Sequence, residues 1–207
     1  MIKILDEQKL ISGCRKLSKT DCDLAYVFRS FGTPPLWARP EGFPTLVHII
    51  LEQQVSVASA KSAFDKLQKT LGEITPEKVF SLSDAEMKAA YFSRQKIVYT
   101  KELAKAILEK RLRLEEFEKF SDKEIHAELV KIKGIGNWTA DIYLLMAMLR
   151  ADVMPKGDLA LHIAWQKLKK LEQRPTAEEF LRTAERWKPF RSVAARLLWH
   201  FYLNSKF

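Results

Sequence analysis

The stretch "LVKIKGIGNWTADIYLL", residues 129–145, decides how this chain folds. From Glu77 to Lys133 the sequence contains no glycine and no proline, and then Gly134 and Gly136 follow with one residue between them. An apolar helical pattern resumes directly afterwards. Glycine adopts backbone angles that are closed to other residues, so the pair predicts a tight turn, at residues 133–137, between two helices.

The ends of the two helices define what this turn exposes. The first helix is expected to end near Lys131 and the second to begin at Asn137. N–H groups of such a turn, together with the N-terminus of the second helix, face outward and can bind an anion. Ile135 is expected to point inward and fix the turn. A plain corner between two helices, with no ligand, is the alternative for the same pattern.

The charge of the chain favours an anionic partner. Among its 207 residues, Lys and Arg number 35 and Asp and Glu 26, which gives a formal net charge of +9. A basic protein is expected to bind nucleic acid first and an anionic membrane second, although solubility alone is the alternative explanation.

Cysteine content and hydropathy predict an intracellular protein. Cys14 and Cys22 are too few for a disulfide framework, and no Cys/His cluster has the spacing of a zinc or iron–sulfur site. Residues 1–13 are too charged for a signal peptide, and no run of about 18 uncharged apolar residues could span a membrane. We therefore expect a cytoplasmic protein, associated with the nucleoid if the source is bacterial. A monomer is also expected.

Helix-start signals recur along the chain and predict an all-α fold. Three of them are capping boxes, in which a hydroxyl and a glutamate three residues later satisfy free N–H groups; they begin at Ser83, Ser121 and Thr176. Residues 45–60 are apolar nearly all round, which predicts a buried helix, and Gln53 and Gln54 within it are expected to be buried or rim amides. At most, residues 2–5, "IKIL", form a short strand.

Five motifs together resemble the helix-hairpin-helix superfamily of DNA glycosylases, and most closely its 3-methyladenine DNA glycosylase II branch. They occur in the order expected of that family and cover the chain from about Pro34 to Trp199. The motifs are "PPLWARPEGFPTLVHIILEQQVSVASA", "FSRQK", "KGIGNWTADIYLL", "PKGDLAL" and "WKPFRSVAARLLW".

The resemblance implies a two-lobed helical fold with the active site in the cleft between the lobes and the hairpin on its rim. Residues 1–207 would form one catalytic unit. The central lobe would comprise approximately 45–150, and approximately 1–44 with 151–207 would form the second lobe. Some members of the family carry an additional N-terminal β-sheet domain, which this sequence is expected to lack.

Asp158 is the residue that the resemblance assigns to catalysis. It follows the break at Pro155–Gly157 and precedes an amphipathic helix, so a helix N-cap is its alternative role. A carboxylate at this place can stabilise positive charge on deoxyribose and orient or deprotonate water. Asp141 and Asp152 are less suitable, because one lies inside the helix after the hairpin and the other lies before the break.

Trp138 bears on the mechanism. In family members with lyase activity, a nucleophilic lysine stands at this position, whereas the resemblance aligns this chain with monofunctional enzymes. Lys131 and Lys133 are near in sequence, but neither occupies that position. An indole face also suits a cationic, alkylated base, unless Trp138 is a core aromatic. Tyr91 and Tyr143 could line the same base pocket or pack in the core.

Several residues are expected to contact DNA. The resemblance places Gln54 at the position that fills the gap left by a flipped nucleotide, where the alkylation branch often has leucine. Gly134 and Gly136 would offer N–H groups to a phosphate, and Thr139 would add its hydroxyl.

Two further contacts are expected at helix ends. Ser93, Arg94 and Lys96 stand at a helix start and form either a second phosphate contact or a solvated helix end. By resemblance, a structural Na⁺ or K⁺ would be held at the hairpin by backbone carbonyls, those of Val130, Ile132 and Ile135. No redox cofactor and no iron–sulfur cluster are expected.

The function that follows is excision of alkylated purines from duplex DNA that contains damaged bases. Alkylation at N3 or N7 puts positive charge on the purine, so its glycosidic bond breaks without a strong general acid. The alternatives are a glycosylase for uracil, deaminated or oxidised bases and a non-catalytic helix-hairpin-helix DNA-binding protein. A helix-turn-helix regulator is disfavoured, because residues 137–149 are too apolar to lie in a major groove.

Overall fold

In a computed structural model that describes residues 4–205, the chain forms twelve α-helices. The all-α prediction is confirmed. Part of the strand expected at residues 2–5 lies outside the described residues; within them, Ile4 forms an isolated antiparallel bridge with Arg150. No helix in residues 4–205 is both long and apolar enough to cross a membrane.

The helices are α1 (Glu7–Thr20), α2 (Cys22–Phe31), α3 (Phe43–Glu52), α4 (Val57–Leu71), α5 (Pro76–Ser81), α6 (Asp84–Ala89), α7 (Arg94–Leu108), α8 (Asp122–Val130), α9 (Asn137–Ile142), α10 (Leu159–Lys169), α11 (Ala177–Ala184) and α12 (Arg191–Asn204). Short 3-10 helices occupy Leu114–Lys119 and Glu185–Trp187, and a π-helical turn follows α9 at Tyr143–Ala147.

The three predicted capping boxes are present and start α6, α8 and α11. In each, the hydroxyl accepts the N–H of the glutamate three residues on, and that carboxylate accepts the N–H of the capping residue. Helices α6, α8 and α11 are short, and helix propensity alone would not keep them folded. The reciprocal capping bonds stabilise their first turns.

The single buried helix predicted over residues 45–60 is wrong in one respect, because it is broken in the middle. Helix α3 ends at Glu52, and α4 begins at Val57 after Ser56 caps it by accepting the N–H of Ser59 at 3.2 Å. Gln54, between them, has a left-handed backbone with φ of 56°. A serine N-cap ends the apolar run where neither glycine nor proline signals a break.

The chain divides into two compact units. The central unit comprises residues 39–143, and the terminal unit comprises residues 1–38 with 144–207. In the central unit, α3 is buried over most of its surface and packs against α4, α7 and α9.

Helix α12 forms the core of the terminal unit. It packs against α1, α2 and α10, and its residues 192–199 are all buried. A Cβ atom placed on Gly13 of α1 would lie 2.8 Å from a methyl group of Val193, so the two helices are in close contact there.

Candidate active site and DNA-binding elements

Asp158 is held by two helices of the terminal unit. It is the N-cap of α10, and its Oδ1 accepts the N–H of Leu161 at 3.0 Å. The same oxygen accepts the indole N–H of Trp199, from α12, at 3.1 Å. The capping role expected as the alternative is therefore present. The bond from Trp199 is additional to the cap, and it holds the carboxylate from a second helix. Only 7% of Asp158 is exposed.

His162 lies one turn along α10 and is buried against Phe180, with 4.8 Å between the ring centroids. Burial lowers the pKa of His162, although the nearby Asp158 carboxylate opposes that shift. The lowered pKa favours the uncharged imidazole beside Asp158.

Trp37 and Trp199 form an aromatic pair next to Asp158. Their ring centroids are 6.2 Å apart, with an angle of 79° between the planes. Trp37 is half-buried and has a positive φ of 48°, a conformation that costs energy in a residue with a bulky side chain. Strain of this kind persists where surrounding contacts impose it, and it is frequent at functional sites.

Arg196 supplies those contacts. Its guanidinium is fully buried and donates to the carbonyl of Leu36 at 2.9 Å and to that of Leu145 at 2.7 Å. Burial lowers the pKa of Arg196 to about 10. The side chain thus fixes the segment that carries Trp37. Sequence reasoning assigned no role to Trp37, Trp199 or Arg196, although all three lie within the motifs that carried the resemblance.

The hairpin of the central unit has the predicted form. Helix α8 ends at Val130, α9 begins at Asn137, and Ile135 is buried with its N–H donated to the carbonyl of Ile132 at 3.0 Å. The two glycines differ, however. Gly134 has a φ of 95°, which favours glycine.

The expectation that both glycines need unusual backbone angles is wrong for Gly136. Its φ of −93° and ψ of 179° are extended and open to any residue. A Cβ on Gly134 would overlap the Cβ and Cγ of Tyr99 from α7, whereas a Cβ on Gly136 would meet no atom within 4 Å. Packing against Tyr99 therefore requires glycine at position 134. Gly136 is exposed and places no side chain over the N-terminus of α9.

Gln54 lies on the turn between α3 and α4, which we name the wedge turn (residues 53–56). It is exposed, together with Val55 and Ser56. The side chain of Gln53 points back to the hairpin and donates to the carbonyl of Gly134 at 2.8 Å. The gap-filling residue expected from the resemblance thus lies on the protein surface, on a turn tied to the hairpin.

Two predicted site residues are buried in the core of the central unit. Thr139 is 1% exposed, and its hydroxyl accepts the side-chain N–H of Gln53 at 2.9 Å, so the expected contact of this hydroxyl with a phosphate is wrong. Tyr143 is also 1% exposed, its hydroxyl accepts the N–H of Gly42 at 2.9 Å, and burial raises its pKa to about 12. Its expected place in a base pocket is therefore wrong.

The other two predicted aromatic residues are accessible. Trp138 is half-buried in the first turn of α9. Tyr91 follows α6 with a φ of 67° and is 69% exposed, so it lies on the surface and does not line an enclosed pocket within the central unit.

The start of α7 is partly available to a ligand. Ser93 caps the helix by accepting the N–H of Lys96 at 3.3 Å, and Arg94 is exposed. The ammonium group of Lys96 donates to the carbonyl of Leu51 at the end of α3, and its contact with a phosphate stays a prediction. Partial burial there lowers the pKa of Lys96.

Of the carbonyls expected to hold a monovalent cation, that of Val130 is the last of α8, and those of Ile132 and Ile135 lie in the turn that follows. The last carbonyls of a helix have no partners within it, so their oxygens suit such an ion. One of the three, that of Ile132, already accepts a hydrogen bond from Ile135 and would offer its second lone pair. Val130 and Ile135 would supply the others.

The other two acids considered from the sequence have structural partners. Asp152 accepts from the guanidinium of Arg191 at 2.9 Å, and Asp141 lies 3.6 Å from the imidazole of His126.

Comparisons with known proteins give this geometry its context. The chain is 32% identical, over 165 residues, to DNA-3-methyladenine glycosylase 1 of Schizosaccharomyces pombe, a match that covers 78% of this chain and 72% of that protein. The structure of 3-methyladenine DNA glycosylase from the same organism in complex with abasic DNA superposes with a TM-score of 0.81 at 28% identity, covering 91% of this chain and 95% of the other.

A third match extends the likeness to a bacterial protein. The structure of DNA-3-methyladenine glycosidase from Bacillus halodurans superposes with a TM-score of 0.76 at 26% identity, covering 90% of this chain and 87% of that one. Residues 47–189 match the family described as HhH-GPD superfamily base excision DNA repair protein. The resemblance stated from the motifs is confirmed, and the chain belongs to the HhH-GPD superfamily of base excision DNA repair proteins.

Proposed function

We propose that this protein is a monofunctional DNA glycosylase that removes alkylated purines such as 3-methyladenine from duplex DNA and leaves an abasic site. The observation that carries the proposal is the Asp158 carboxylate, fixed by Leu161 and Trp199 beside a tryptophan pair in a member of this superfamily. The names of the relatives favour alkylated bases as the substrates.

Hydrolysis requires the flipped nucleotide to lose its base and gain water. As the bond between C1′ and the purine nitrogen breaks, its electron pair returns to the base, which leaves uncharged, and the sugar becomes positive. Asp158 stabilises that positive charge and accepts a proton from the water that attacks C1′. Aromatic faces favour a cationic base over an uncharged one, which makes alkylated purines preferred substrates.

We also propose that the enzyme lacks lyase activity. A Schiff base needs an uncharged amine next to C1′, and Trp138 stands where the resemblance expects a lysine. Lys131 is exposed, and its ammonium group forms an ion pair with Glu128 at 2.6 Å.

Duplex DNA is the partner in this proposal. The hairpin N–H groups and Arg94 hold phosphates, Gln54 enters the gap, and Na⁺ or K⁺ bound by the carbonyls of Val130, Ile132 and Ile135 would fix the hairpin backbone. Because the substrate is cellular DNA, we place the activity inside the cell.

The substitution Asp158→Asn tests the catalytic assignment. Asparagine caps a helix nearly as well as aspartate, so the fold and lesion binding should persist while single-turnover base release falls by roughly 10²–10⁴-fold. Asp6→Asn is the matched control, because Asp6 caps α1 by accepting the N–H of Lys9 at 2.7 Å, far along the chain from the site.

The substrate assignment is tested with randomly methylated DNA, from which released bases are identified by chromatography. Release of 3-methyladenine by the wild-type protein is expected. If the wild-type protein released only uracil or oxidised bases, the alkylated-purine assignment would be refuted. If it bound damaged DNA but released nothing, the protein would be a non-catalytic DNA-binding member of the superfamily.

A further inference from the structure

One side chain joins the wedge turn to the hairpin. Both N–H bonds of the Gln53 amide have acceptors: the carbonyl of Gly134 at 2.8 Å and the hydroxyl of Thr139 at 2.9 Å. Gly134 lies in the hairpin turn and Thr139 in the first turn of α9, so the amide binds both the turn and the helix that follows it.

The base of the wedge turn has two further anchors. Lys96 donates to the carbonyl of Leu51, and Arg39 makes a paired contact with the carboxylate of Glu52, at 2.9 and 2.7 Å. All three anchors fall on residues 51–53. The tip, at residues 54–56, is exposed, and Gln54 holds a left-handed backbone.

We propose that Gln53 is a positioning residue that makes the wedge turn and the hairpin one rigid element, so that the place where the hairpin holds the DNA backbone sets the depth at which Gln54 enters the duplex. This rests on the proposed function for the identity of the hairpin and the wedge. Hydrogen bonds from one planar amide to two separate acceptors fix both distance and orientation, which a flexible turn could not do by itself.

The test variant is Gln53→Met, which keeps the length of the side chain and removes both donors. Gln68→Met is the matched control, because the Gln68 amide also donates to a backbone carbonyl of the central unit, that of Gly72, on an exposed surface. The probe is a duplex that holds a tetrahydrofuran abasic analogue opposite 2-aminopurine, whose fluorescence reports unstacking. Affinity for the same duplex without the analogue is measured in parallel.

The variant should bind the undamaged duplex within roughly twofold of wild type while its preference for the abasic duplex falls about tenfold, equal to about 1.4 kcal/mol, with loss of the fluorescence change. The double variant Gln53→Met/Gln54→Ala should have the same preference for the abasic duplex as Gln54→Ala alone, because both changes remove the insertion of residue 54 into the duplex. A contribution of Gln53 to folding alone would instead lower the Tm and weaken both duplexes alike.

The proposal would be overturned if Gln53→Met kept the wild-type preference for the abasic duplex, or if the losses of preference from the two single changes added in the double variant. It would also be overturned if the wild-type protein caused no fluorescence change. If Gln53→Met does not fold, Thr139→Val removes one acceptor with little change of volume and should give a partial loss in the same assay. The probe needs no base release, so this test is separate from the test of the substrate. If the wild-type protein inserts Gln54 but releases no methylated bases, the proposed substrate is refuted and the role of Gln53 is still supported.

Discussion

The substitution Gly134→Ala should damage the hairpin severely, whereas Gly136→Ala should be tolerated. Gly134 has a φ of 95°, which costs roughly 1–2 kcal/mol for a residue with a Cβ. The added methyl group would also overlap Tyr99, and overpacking of this kind costs roughly 1–3 kcal/mol. The sum is about 2–5 kcal/mol, or roughly 4–20 °C in Tm at 2–4 °C per kcal/mol for a chain of this size.

Gly136→Ala is the internal control, since its backbone is extended and nothing lies within 4 Å of the new methyl group. Its stability should stay within about 0.5 kcal/mol of wild type. Thermal unfolding followed by circular dichroism gives both values. The new methyl group would overlap the Cβ of Tyr99 as well as its ring, so Tyr99→Gly is the second change that removes the overlap. Adding Gly134→Ala to Tyr99→Gly should therefore cost only the backbone part of the loss. Equal Tm values for the two single variants would refute the reasoning.

Three further predictions concern separate parts of the molecule. Arg196→Met leaves buried carbonyls without donors and should lower stability by about 2–4 kcal/mol in a denaturant titration, whereas exposed Arg182→Met should change it by less than about 0.5 kcal/mol. Arg94→Ala should lower the slope of log affinity against log salt by about 0.9 in duplex titrations; an unchanged slope would show that Arg94 contacts no phosphate. Borohydride added during turnover should trap no protein–DNA adduct, because Trp138 stands where the resemblance expects the lysine of lyases; an adduct would refute the monofunctional mechanism.

Local signals explain which parts of the fold could be read from the sequence. The capping box at Ser83 needs only residues three apart, and the hairpin needs only two glycines in an apolar helical context. The wedge turn was missed, because a serine cap and a left-handed glutamine carry no strong compositional mark. Thr139 was expected to contact DNA because it follows the hairpin, and Tyr143 fitted a base pocket and the core equally well; the structure buries both, because the sequence does not show what covers a helix face.

The candidate site depends on contacts that no local pattern reveals. Trp199 is distant in sequence from the Asp158 carboxylate that it binds, and Arg196 is still further from Leu36. The motif "PKGDLAL" predicted Asp158 as the site residue, and its cap role followed from the same letters. Its second donor could be found only in three dimensions, because tryptophan donates to whichever acceptor the packing brings to its indole N–H.

The terminal unit has a consequence for how the protein is made, because its two parts lie at opposite ends of the chain. Helices α1 and α2 leave the ribosome before the central unit, yet they pack on α12, which is synthesised after it. At about 5–20 residues per second, the first two helices wait roughly 10–40 s for that partner, while residues 39–143 can already fold as a continuous piece. Nascent chains stalled before Arg191 should therefore protect the central unit from protease and leave α1 and α2 open to cleavage.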